Sequence, residues 1–569
     1  MWLARWALDL IELVLVLGIL ALILRKKPAA GPPPRFAALK KSFHSISRRK
    51  ALSVLLVGAL SLSLRAALIP ILGVPEPQGH DEFSYLLAAD TFVHGRLTNP
   101  PHPMWIHFES FHIIQHPTYM SMYPPAQGLV LAIGFWLRHP WTGQLLITAA
   151  MCSAVCWMLQ GWLPPPWALL GGILVVLRLG IFGYWTNGFW CASVAAFGGA
   201  LVLGAWPRIR HHQHTRDAVL LALGLAILAN SRPYEGFLLA LPVAAALLRW
   251  LAGLRGSKLK TTSLRIVVPL AAVLAALAVL TGYYNYRVTG SPVRMGYQLN
   301  RATYSRAAYF LWQGPGPNRT YDHAVMQDFY DREFHYYEVN RTVVGFLQHA
   351  EFKISWFWRF FLGPALTIPL IAFPSILQDR RMRFPLLAFG FFVLGLAVDN
   401  FFSPHYFAPA VALLYLILLQ CMRHLRFWRW RERAVGAELV RAVPLVCCAM
   451  VLLRVIAVVA HAQIEPSYPR GNVQRAKIAN ELEHLPGLQL VLVRYGRNHD
   501  AHGEWVYNAA DIDRSKVVWA RDMGEAKNKE LLNYFTGRAV WLLEPDESPA
   551  KLTPYLDKAG SITSGQAAH

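Results

Sequence analysis

Long apolar runs, separated by short polar segments, recur along most of the chain. Their lengths approach the roughly 20 residues that an α-helix needs to cross the hydrocarbon core of a bilayer. The pattern therefore predicts a mainly α, polytopic helical membrane protein of about 12 spans. The predicted spans are residues 8–24, 51–72, 142–160, 167–183, 189–206, 217–230, 237–254, 266–282, 353–378, 384–402, 406–420 and 442–461.

The segments between the runs divide the chain into parts of different character. These parts are an N-terminal span with a basic linker (1–50), a membrane module (51–282) with a large outer loop (73–141), a second outer loop (283–352), the C-terminal spans (353–464) and a tail (465–569). The linker contains Gly31-Pro32-Pro33-Pro34 and no acidic residue, which is typical of a flexible cytoplasmic connector.

The tail does not share the membrane pattern. Residues 473–485 and 528–535 have helical periodicity, whereas 488–494, 516–520 and 539–543 are short β-rich runs. This alternation of helices and strands predicts a small α/β domain outside the membrane.

Charge sets the predicted orientation of the chain. The net charge is +22, but the excess of basic residues lies mostly in short loops between apolar runs, so we do not predict nucleic-acid binding. The apolar run 126–137 has twelve residues, too few to cross a bilayer, and we expect a juxtamembrane helix there. Loops 73–141 and 283–352 and the tail then lie outside. The basic clusters then share the cytoplasmic side, namely residues 208–216, 249–265, 380–383 and 423–441.

Candidate chemistry is concentrated in the first outer loop. Asp81 and Glu82 follow a Pro/Gly-rich approach, so we expect both in the first turn of a helix, where the helix dipole favours carboxylates. Helix capping alone would also explain the pair, and the spacing leaves both interpretations open. The loop closes with Tyr123-Pro124-Pro125. It also carries several imidazoles and a further acid, namely His80, His94, His102, His107, His112, His116 and Glu109.

This arrangement resembles the GT-C superfamily of glycosyltransferases. The resemblance rests on His80-Asp81-Glu82 and Tyr123-Pro124-Pro125, within residues 51–282. The branch it resembles is that of bacterial protein-mannosyltransferase-like and aminoarabinose-transferase-like enzymes. The resemblance implies a polyprenyl-phosphate sugar as donor, and Asp81 and Glu82 as catalytic acids that act as general base toward an acceptor hydroxyl. It also implies a bacterial inner membrane, with the active site and the tail on the periplasmic side.

The resemblance further implies a divalent metal ion, which some members of the superfamily bind through the same loop. Glu82, Glu109 and His112 are the candidate ligands in this chain. Many relatives carry an acidic residue in the second outer turn, whereas this chain has Thr186-Asn187-Gly188 there. The pattern therefore leaves the metal open.

Transfer of a sugar from a phosphate also needs fixed positive charge where the leaving phosphate gathers negative charge. Arg232, at the outer end of a span, suits this role because a guanidinium binds phosphate through two N–H groups. The alternative is that Arg232 is an interfacial anchor paired with Glu235. The predicted substrate-binding residues are His80, Tyr123, Arg232, Tyr234, Glu235 and His405.

The sequence therefore predicts an inverting glycosyltransferase, of hexosyl- or pentosyltransferase type, acting on the outer face of a membrane. Its partners would be the polyprenyl-phosphate sugar, an unidentified acceptor and the bilayer. The alternative is a multi-span transporter or lipid flippase, for which polar residues spread through the membrane and a pseudo-repeat are expected. Instead the polar residues gather in loops 73–141 and 283–352, and we see no internal repeat.

Overall fold

The structure is a computed structural model that describes residues 2–25, 34–431, 433–462 and 470–555. The proline-rich part of the predicted linker (26–33), the predicted start of the tail at 465 and the end of the tail (556–569) lie outside the described residues. The described chain is mainly helical with a small sheet near its C-terminal end, as the sequence predicts.

The N-terminal part alternates membrane helices with the short elements of the first outer loop. Helix α7 has twelve residues, which corresponds to about 18 Å of helix at 1.5 Å per residue. It is therefore too short to cross a bilayer, in agreement with the sequence pattern. The elements are α1 (Trp2–Arg25), α2 (Pro34–Arg48), α3 (Lys50–Ala67), α4 (Ile69–Leu72), α5 (His80–Val93), α6 (Trp105–Phe108), β1 (Ile113–Ile114), β2 (Met120–Ser121) and α7 (Pro125–Trp136).

The central part holds the predicted membrane module. Its helices are α8 (Pro140–Leu159), α9 (Pro165–Leu179), α10 (Ala192–His212), α11 (Thr215–Ala229), α12 (Pro233–Ala252), α13 (Gly256–Thr262) and α14 (Val268–Thr289), with a π-helical turn at Ser263–Val267 between the last two. Small residues along α10 let its neighbours approach closely, and most of the helix is buried. Helix α14 is apolar along most of its length and little of it is buried within the protein, as expected for contact with lipid.

Glycine and proline interrupt several helices of the C-terminal membrane part. The helices are α15 (Gly296–Tyr304), α16 (Ala324–Asn340), α17 (Val343–Phe357), α18 (Gly363–Thr367), α19 (Phe373–Leu377), α20 (Arg383–Ala397), α21 (Val411–Leu425) and α22 (Val435–Val459). Short π or 3₁₀ segments lie between them at Trp358–Leu362, Ile368–Ala372, Arg380–Met382 and Pro404–Ala410. Gly363 has a φ of +59°, a conformation that glycine adopts readily, where the π-helical turn passes into α18.

Nine helices of the described residues are long and apolar enough to cross a membrane, judged by length and composition. Three other predicted spans coincide with α9, α11 and α20, which have 15 residues each and are shorter than the roughly 20 residues that span a bilayer comfortably. Helix α9 packs against α3 and α8, α11 against α10, and α20 against α12. The protein is an integral multi-pass membrane protein, and these three helices complete its bundle.

A group of charged side chains joins α1 to the interrupted helix around Gly363. Glu12 is buried, its Oε2 lies 3.5 Å from Arg178 Nη1, and its Oε1 accepts a hydrogen bond from the Ala365 N–H at 2.9 Å. Asp9 Oδ2 lies 3.0 Å from Arg359 Nε. Charges at membrane depth are costly unless paired, so these contacts account for charged residues within apolar runs.

The tail is the small α/β domain that the sequence predicts. Its elements are α23 (Val473–His484), β3 (Leu488–Val493), β4 (Val517–Arg521), α24 (Glu525–Tyr534), β5 (Arg538–Glu544) and β6 (Lys551–Pro554). The sheet order is β4-β3-β5-β6, with β3 parallel to both neighbours and β6 antiparallel to β5. Leu490 and Val518 of the sheet share an apolar core with Leu87 and Phe108 of the first outer loop. The tail is therefore packed onto the loop that carries Asp81.

Candidate active site

Glu82 anchors the start of α5. Its Oε2 accepts hydrogen bonds from the backbone N–H groups of Gln78 (3.1 Å) and Gly79 (3.3 Å), and its Oε1 accepts one from Phe189 (2.9 Å). Burial raises the pKa of Glu82, and these backbone N–H groups oppose the rise. Glu82 thus links the first outer loop to the turn after α9, and both of its carboxylate oxygens accept hydrogen bonds from backbone N–H groups.

The turn between α9 and α10 is built closely around this carboxylate. A Cβ atom at position 188 would lie 2.8 Å from Glu82 Oε1, so Gly188 is needed there. The side-chain oxygen of the adjacent Asn187 accepts a hydrogen bond from Arg65 Nε at 2.8 Å. The turn that lacks an acidic residue therefore holds a buried amide–guanidinium contact.

Asp81 lies among three side chains that contact its carboxylate. Its Oδ1 accepts a hydrogen bond from the Tyr123 hydroxyl and lies 3.0 Å from His112 Nδ1, while its Oδ2 lies 3.2 Å from His80 Nδ1. Burial raises the pKa of Asp81, but the adjacent His112 and His80 lower it by more, so that it stands well below its ordinary value of 3.8. Asp81 is therefore a carboxylate at neutral pH.

The backbone of the first outer loop is strained where it presents His112. This residue has a φ of +59°, a left-handed conformation that costs a non-glycine residue about 1–3 kcal/mol. Its carbonyl accepts hydrogen bonds from Ser84 Oγ (2.7 Å) and the Met122 N–H (3.1 Å), which hold the conformation. Burial lowers the pKa of His112. A neutral imidazole is thus held against Asp81 at neutral pH.

His80, Asp81 and His112 could hold a metal ion, and they are the one group of at least three such side chains found within the described residues. The two Nδ1 atoms lie 3.0 Å apart, and each lies 3.0–3.2 Å from an Asp81 oxygen. Ligands at about 2.0–2.2 Å around one tetrahedral zinc ion lie about 3.3–3.6 Å apart, so a small outward shift of these side chains would admit the ion. His80 Nε2 is buried and has no hydrogen-bond partner among the described residues. The donor set and its spacing therefore fit a divalent cation.

The structure places the predicted metal ligands differently. His112 belongs to the group, but Glu82 faces backbone N–H groups, and Glu109 accepts a hydrogen bond from the Tyr304 hydroxyl at 2.7 Å. Glu109 also lies 3.6 Å from His323, and burial raises its pKa. Glu109 thus belongs to the contact between the two outer loops, whereas His112, three residues later, contacts Asp81.

Arg232 lies just before α12 and is buried, with 7% of its surface exposed. Its Nη1 lies 3.6 Å from Glu235 Oε1, and its guanidinium lies 4.1 Å from the centre of the Tyr406 ring. Its Nε and Nη2 have no hydrogen-bond partner among the described residues. A buried donor without a partner costs about 1–3 kcal/mol. The guanidinium can therefore gain from an anion bound beside it.

Aromatic side chains connect Arg232 to Asp81. Tyr85 lies within electrostatic range of Arg232 and stacks on Tyr123, with ring centres 4.4 Å apart. The hydroxyl of Tyr123 in turn contacts Asp81. Asp81 is also within electrostatic range of His405. We call the group of side chains formed by Asp81, Tyr85, Tyr123, Arg232 and His405 the outer chamber.

The remaining predicted residues divide between the chamber and its surroundings. His405 Nδ1 lies 2.9 Å from the Tyr184 hydroxyl, and its ring centre lies 4.9 Å from that of Trp190. Tyr234 instead donates a hydrogen bond to the Gly395 carbonyl at 2.8 Å, where it joins α12 to α20. Tyr234 therefore supports the helix that carries Arg232 and does not border the chamber itself.

The sequence interpretation missed several side chains of this region. The aromatic residues Tyr85, Tyr184, Tyr297 and Tyr406 surround Arg232. Tyr85 and Tyr406 had a local signal, since Tyr85 lies four residues after Asp81 on the same predicted helix and Tyr406 adjoins the predicted His405. His502 of the tail, whose ring centre lies 5.7 Å from that of His80, had none, because more than 400 residues separate the two in sequence.

Comparison with known proteins shows similarity of fold. No protein-family model matches the sequence, and no curated protein matches it significantly. The structure is similar to ArnT from Cupriavidus metallidurans, with a TM-score of 0.50 and 12% identity over 86% of this chain and 92% of ArnT. The same ArnT bound to undecaprenyl phosphate gives a TM-score of 0.49 at 12% identity, with the same coverage of each chain.

A third similar structure is the Archaeoglobus fulgidus oligosaccharyltransferase tethered to an acceptor peptide. It gives a TM-score of 0.45 at 15% identity, over 86% of this chain and 68% of that protein. At such identities the similarity to ArnT establishes the fold alone. The fold that the sequence resemblance implies is confirmed at this level.

Proposed function

We propose that this chain, which has the GT-C fold, is a membrane glycosyltransferase that moves a sugar from a polyprenyl-phosphate donor to an acceptor hydroxyl by inversion. The observation that carries the proposal is the outer chamber, where the Asp81 carboxylate and the Arg232 guanidinium, with its unpartnered N–H groups, both lie within electrostatic range of Tyr406. The donor class follows that of ArnT, which is known in complex with undecaprenyl phosphate.

The chemistry assigns one role to each charge. The Asp81 carboxylate takes the proton of the acceptor hydroxyl while that oxygen forms a bond to the anomeric carbon of the sugar. The bond from the anomeric carbon to the phosphate oxygen breaks, and its electron pair stays on the departing polyprenyl phosphate. Arg232 stabilises the charge that gathers there, because its unpartnered donors are already in place and need no reorganisation. A single displacement of this kind inverts the anomeric configuration.

His80 and His112 keep Asp81 in position for this role. Both imidazoles contact its carboxylate, and the Tyr123 hydroxyl donates to it, so the Asp81 side chain has little rotational freedom. A divalent cation held by His80, Asp81 and His112 would supply further positive charge near the reacting phosphate.

The orientation of the helices supports an outward-facing chamber in a bacterial inner membrane. Helix α12 follows Arg232 at one end and carries Arg249 in its last turn at the other. The segment Pro404–Leu425 likewise has His405 near its start and Arg423 in its last turn. The chamber thus lies at the ends of the helices opposite the basic clusters, which favours the periplasmic side.

Reporter fusions at residues 110, 212 and 500 should report outside, inside and outside. An inside result at residue 110 would contradict this orientation.

The direct test uses purified full-length protein and a panel of undecaprenyl-phosphate hexoses and pentoses. We expect at least one donor to be converted to undecaprenyl phosphate, measured by mass spectrometry, and the Asp81→Asn variant to lose this conversion. Failure of every donor, with protein that is folded by thermal unfolding, would refute the proposed donor class.

A further inference from the structure

We propose that the tail and the second outer loop form the acceptor site, and that this site takes an uncharged saccharide. The site, which we call the acceptor cleft, lies between α16 and the start of the loop after β3. It is lined by Asp328, Asp331, Arg332, His335, Arg497, Asn498 and His499. The role of the bound saccharide as the acceptor depends on the glycosyltransferase function proposed above. The binding of a saccharide to the cleft does not depend on that function.

The cleft has the size of a ligand site. Its volume is about 530 Å³, within the range of about 300–1,000 Å³ typical of small-molecule sites. One wall is a single face of α16, because Asp328, Asp331, Arg332 and His335 follow helical spacing. The other wall is the tail segment 497–499. The cleft therefore exists only where the tail meets the second outer loop.

The tail wall is held in place by its own contacts. Asp546 accepts hydrogen bonds from the Gly496 N–H at 2.7 Å and contacts His499 Nδ1 at 2.7 Å. The His499 ring stacks on Tyr495, with centres 3.8 Å apart. These contacts are made by residues that follow β3 and β5 of the same domain, so this wall is fixed before any ligand binds.

The α16 wall is fixed in the same way. Arg301 Nη1 lies 2.7 Å from Glu333 Oε1 on α16. Met326 and Tyr330, on the inner face of α16, share an apolar cluster with Phe111 of the first outer loop and Ala501 of the tail. Three separate parts of the chain therefore meet directly below the cleft and set the distance between its walls.

The lining indicates the class of ligand. All of its side chains are polar or charged, and two carboxylates balance two guanidinium groups. The balance gives no electrostatic preference for a polyanion or a polycation. A peptide or a lipid tail would need apolar anchor pockets, and none of the lining residues supplies one. Carboxylate, amide and guanidinium groups are planar and can bind neighbouring hydroxyls in pairs, as a saccharide presents them.

Residues beside the cleft contact the imidazoles that surround Asp81. Phe329, next to Asp328 on α16, has its ring centre 5.3 Å from that of His80 and 6.3 Å from that of His112. His502, which follows the buried Ala501 in the tail, lies beside both rings, with its ring centre 6.2 Å from that of Phe329 and 5.7 Å from that of His80. A saccharide in the cleft would thus reach the carboxylate past His80, from the side of the tail.

The test measures saccharide binding by the full-length protein in detergent. The probe is an array of uncharged di- to tetrasaccharides of glucose, mannose, galactose and N-acetylglucosamine, read with fluorescently labelled protein. We expect at least one of them to bind, and Arg497→Ala and Asp331→Ala each to weaken that binding tenfold or more. Both residues are exposed, so neither change should affect folding. Arg514→Ala and Glu481→Ala, also exposed but outside the cleft, serve as matched controls and should bind as the wild type does.

The outcomes separate the cleft from the proposed function. Binding that is lost in Arg497→Ala supports the cleft even if no undecaprenyl-phosphate sugar is consumed, in which case only the glycosyltransferase proposal fails. If no saccharide of the array binds, or if Arg497→Ala and Asp331→Ala bind like the controls, the cleft is not a saccharide site. This holds even if the donor is consumed. Binding to peptide or lipid arrays alone would also overturn the inference.

Discussion

Two buried arginine–glutamate pairs in this protein are built in opposite ways. In the tail, Arg521 Nη2 lies 3.0 Å from Glu504 Oε2, and Arg521 Nε donates to the Glu109 carbonyl at 2.6 Å. Glu504 also accepts hydrogen bonds from Ser110 Oγ (2.9 Å) and the Tyr495 hydroxyl (2.5 Å). Only Arg521 Nη1 is left without a partner among the described residues. We call this group the tail junction.

The pair in the outer chamber is looser. Arg232 and Glu235 are 3.6 Å apart, and two of the three guanidinium nitrogens of Arg232 have no partner among the described residues. Burying charges costs several kcal/mol per ion unless hydrogen bonds repay it. In the tail junction the protein itself supplies these hydrogen bonds, as expected of a structural contact. In the chamber two guanidinium nitrogens stay available for a ligand, as expected of a binding site. Variants of the two regions should therefore fail in different ways.

The largest effect is expected at the chamber carboxylate. Asp81→Asn should lower the rate of sugar transfer by about 10³-fold, because the amide cannot take the acceptor proton. The thermal unfolding midpoint should stay that of the wild type. Transfer is measured as release of undecaprenyl phosphate, and Asp511→Asn, a change at a half-buried acid of the tail, is the matched control. Wild-type transfer by Asp81→Asn would remove Asp81 as the base.

Arg521→Ala should break the tail junction. It leaves Glu504 buried without its cation, which costs about 3–5 kcal/mol. We expect the tail to unfold at lower temperature than the wild type, measured by limited proteolysis during heating. Arg514→Ala, an exposed change in the same domain, should leave the tail as it is. If Arg521→Ala proved as stable as the control, the junction would not be structural.

Arg232→Gln should lower transfer by about 10²-fold, because a preorganised donor is lost where the phosphate gathers charge. The double change Arg232→Gln and Glu235→Gln removes the pair together and should keep the stability of the wild type, in contrast to Arg521→Ala. Arg287→Gln, exposed on α14, is the control for a lost charge. Donor binding and transfer unaffected by Arg232→Gln would refute the phosphate role.

The smallest effect concerns pH at the contact between the two outer loops. His323 Nε2 lies 2.7 Å from the Ile106 carbonyl, and burial lowers its pKa to about 3. The unfolded chain, with an ordinary value of 6.5, binds more protons between these limits, so folding stability should fall as pH drops below 6.5. From pH 6.5 to 5 the loss is about 2 kcal/mol at most.

This dependence is checked by thermal unfolding of the wild type and His323→Gln at both pH values. Glu109, 3.6 Å from the ring, is present in both proteins, as are the neighbouring Arg521, His107 and Glu504. The variant should lose less stability on acidification, and the exposed change His94→Gln should behave as the wild type. Equal losses in His323→Gln and the wild type would show that His323 does not control the contact.

Local sequence patterns correctly predicted several elements of the structure. The Pro/Gly approach followed by two acids predicts a helix start, and α5 begins at His80 with both acids in its first turn. The apolar run at 126–137 is too short to cross, and it forms the twelve-residue α7. The strands β3 to β5 lie where β-rich runs occur, whereas β6 was missed because a short edge strand of mixed polarity has no clear pattern.

Side-chain partners were predicted less well. Glu109 and His112 are three residues apart in sequence, yet one contacts Tyr304 and the other contacts Asp81. The sequence named Glu235 as a partner of Arg232, and the two lie 3.6 Å apart, but it gave no sign that the guanidinium also lies over the ring of Tyr406, far along the chain. Which imidazole of a histidine-rich loop faces a carboxylate is decided by how the loop folds.

The membrane helices, the start of α5 and the strand–helix order of the tail follow from the amino-acid pattern, because hydrophobic period and capping act over a few residues. The folded structure was needed to show that His80, Asp81 and His112 converge, that two nitrogens of Arg232 have no partner among the described residues, and that the tail forms a cleft with α16. The reason is physical. These contacts join segments tens to hundreds of residues apart, and the packing of helices, loops and sheet sets their distances within a few tenths of an ångström.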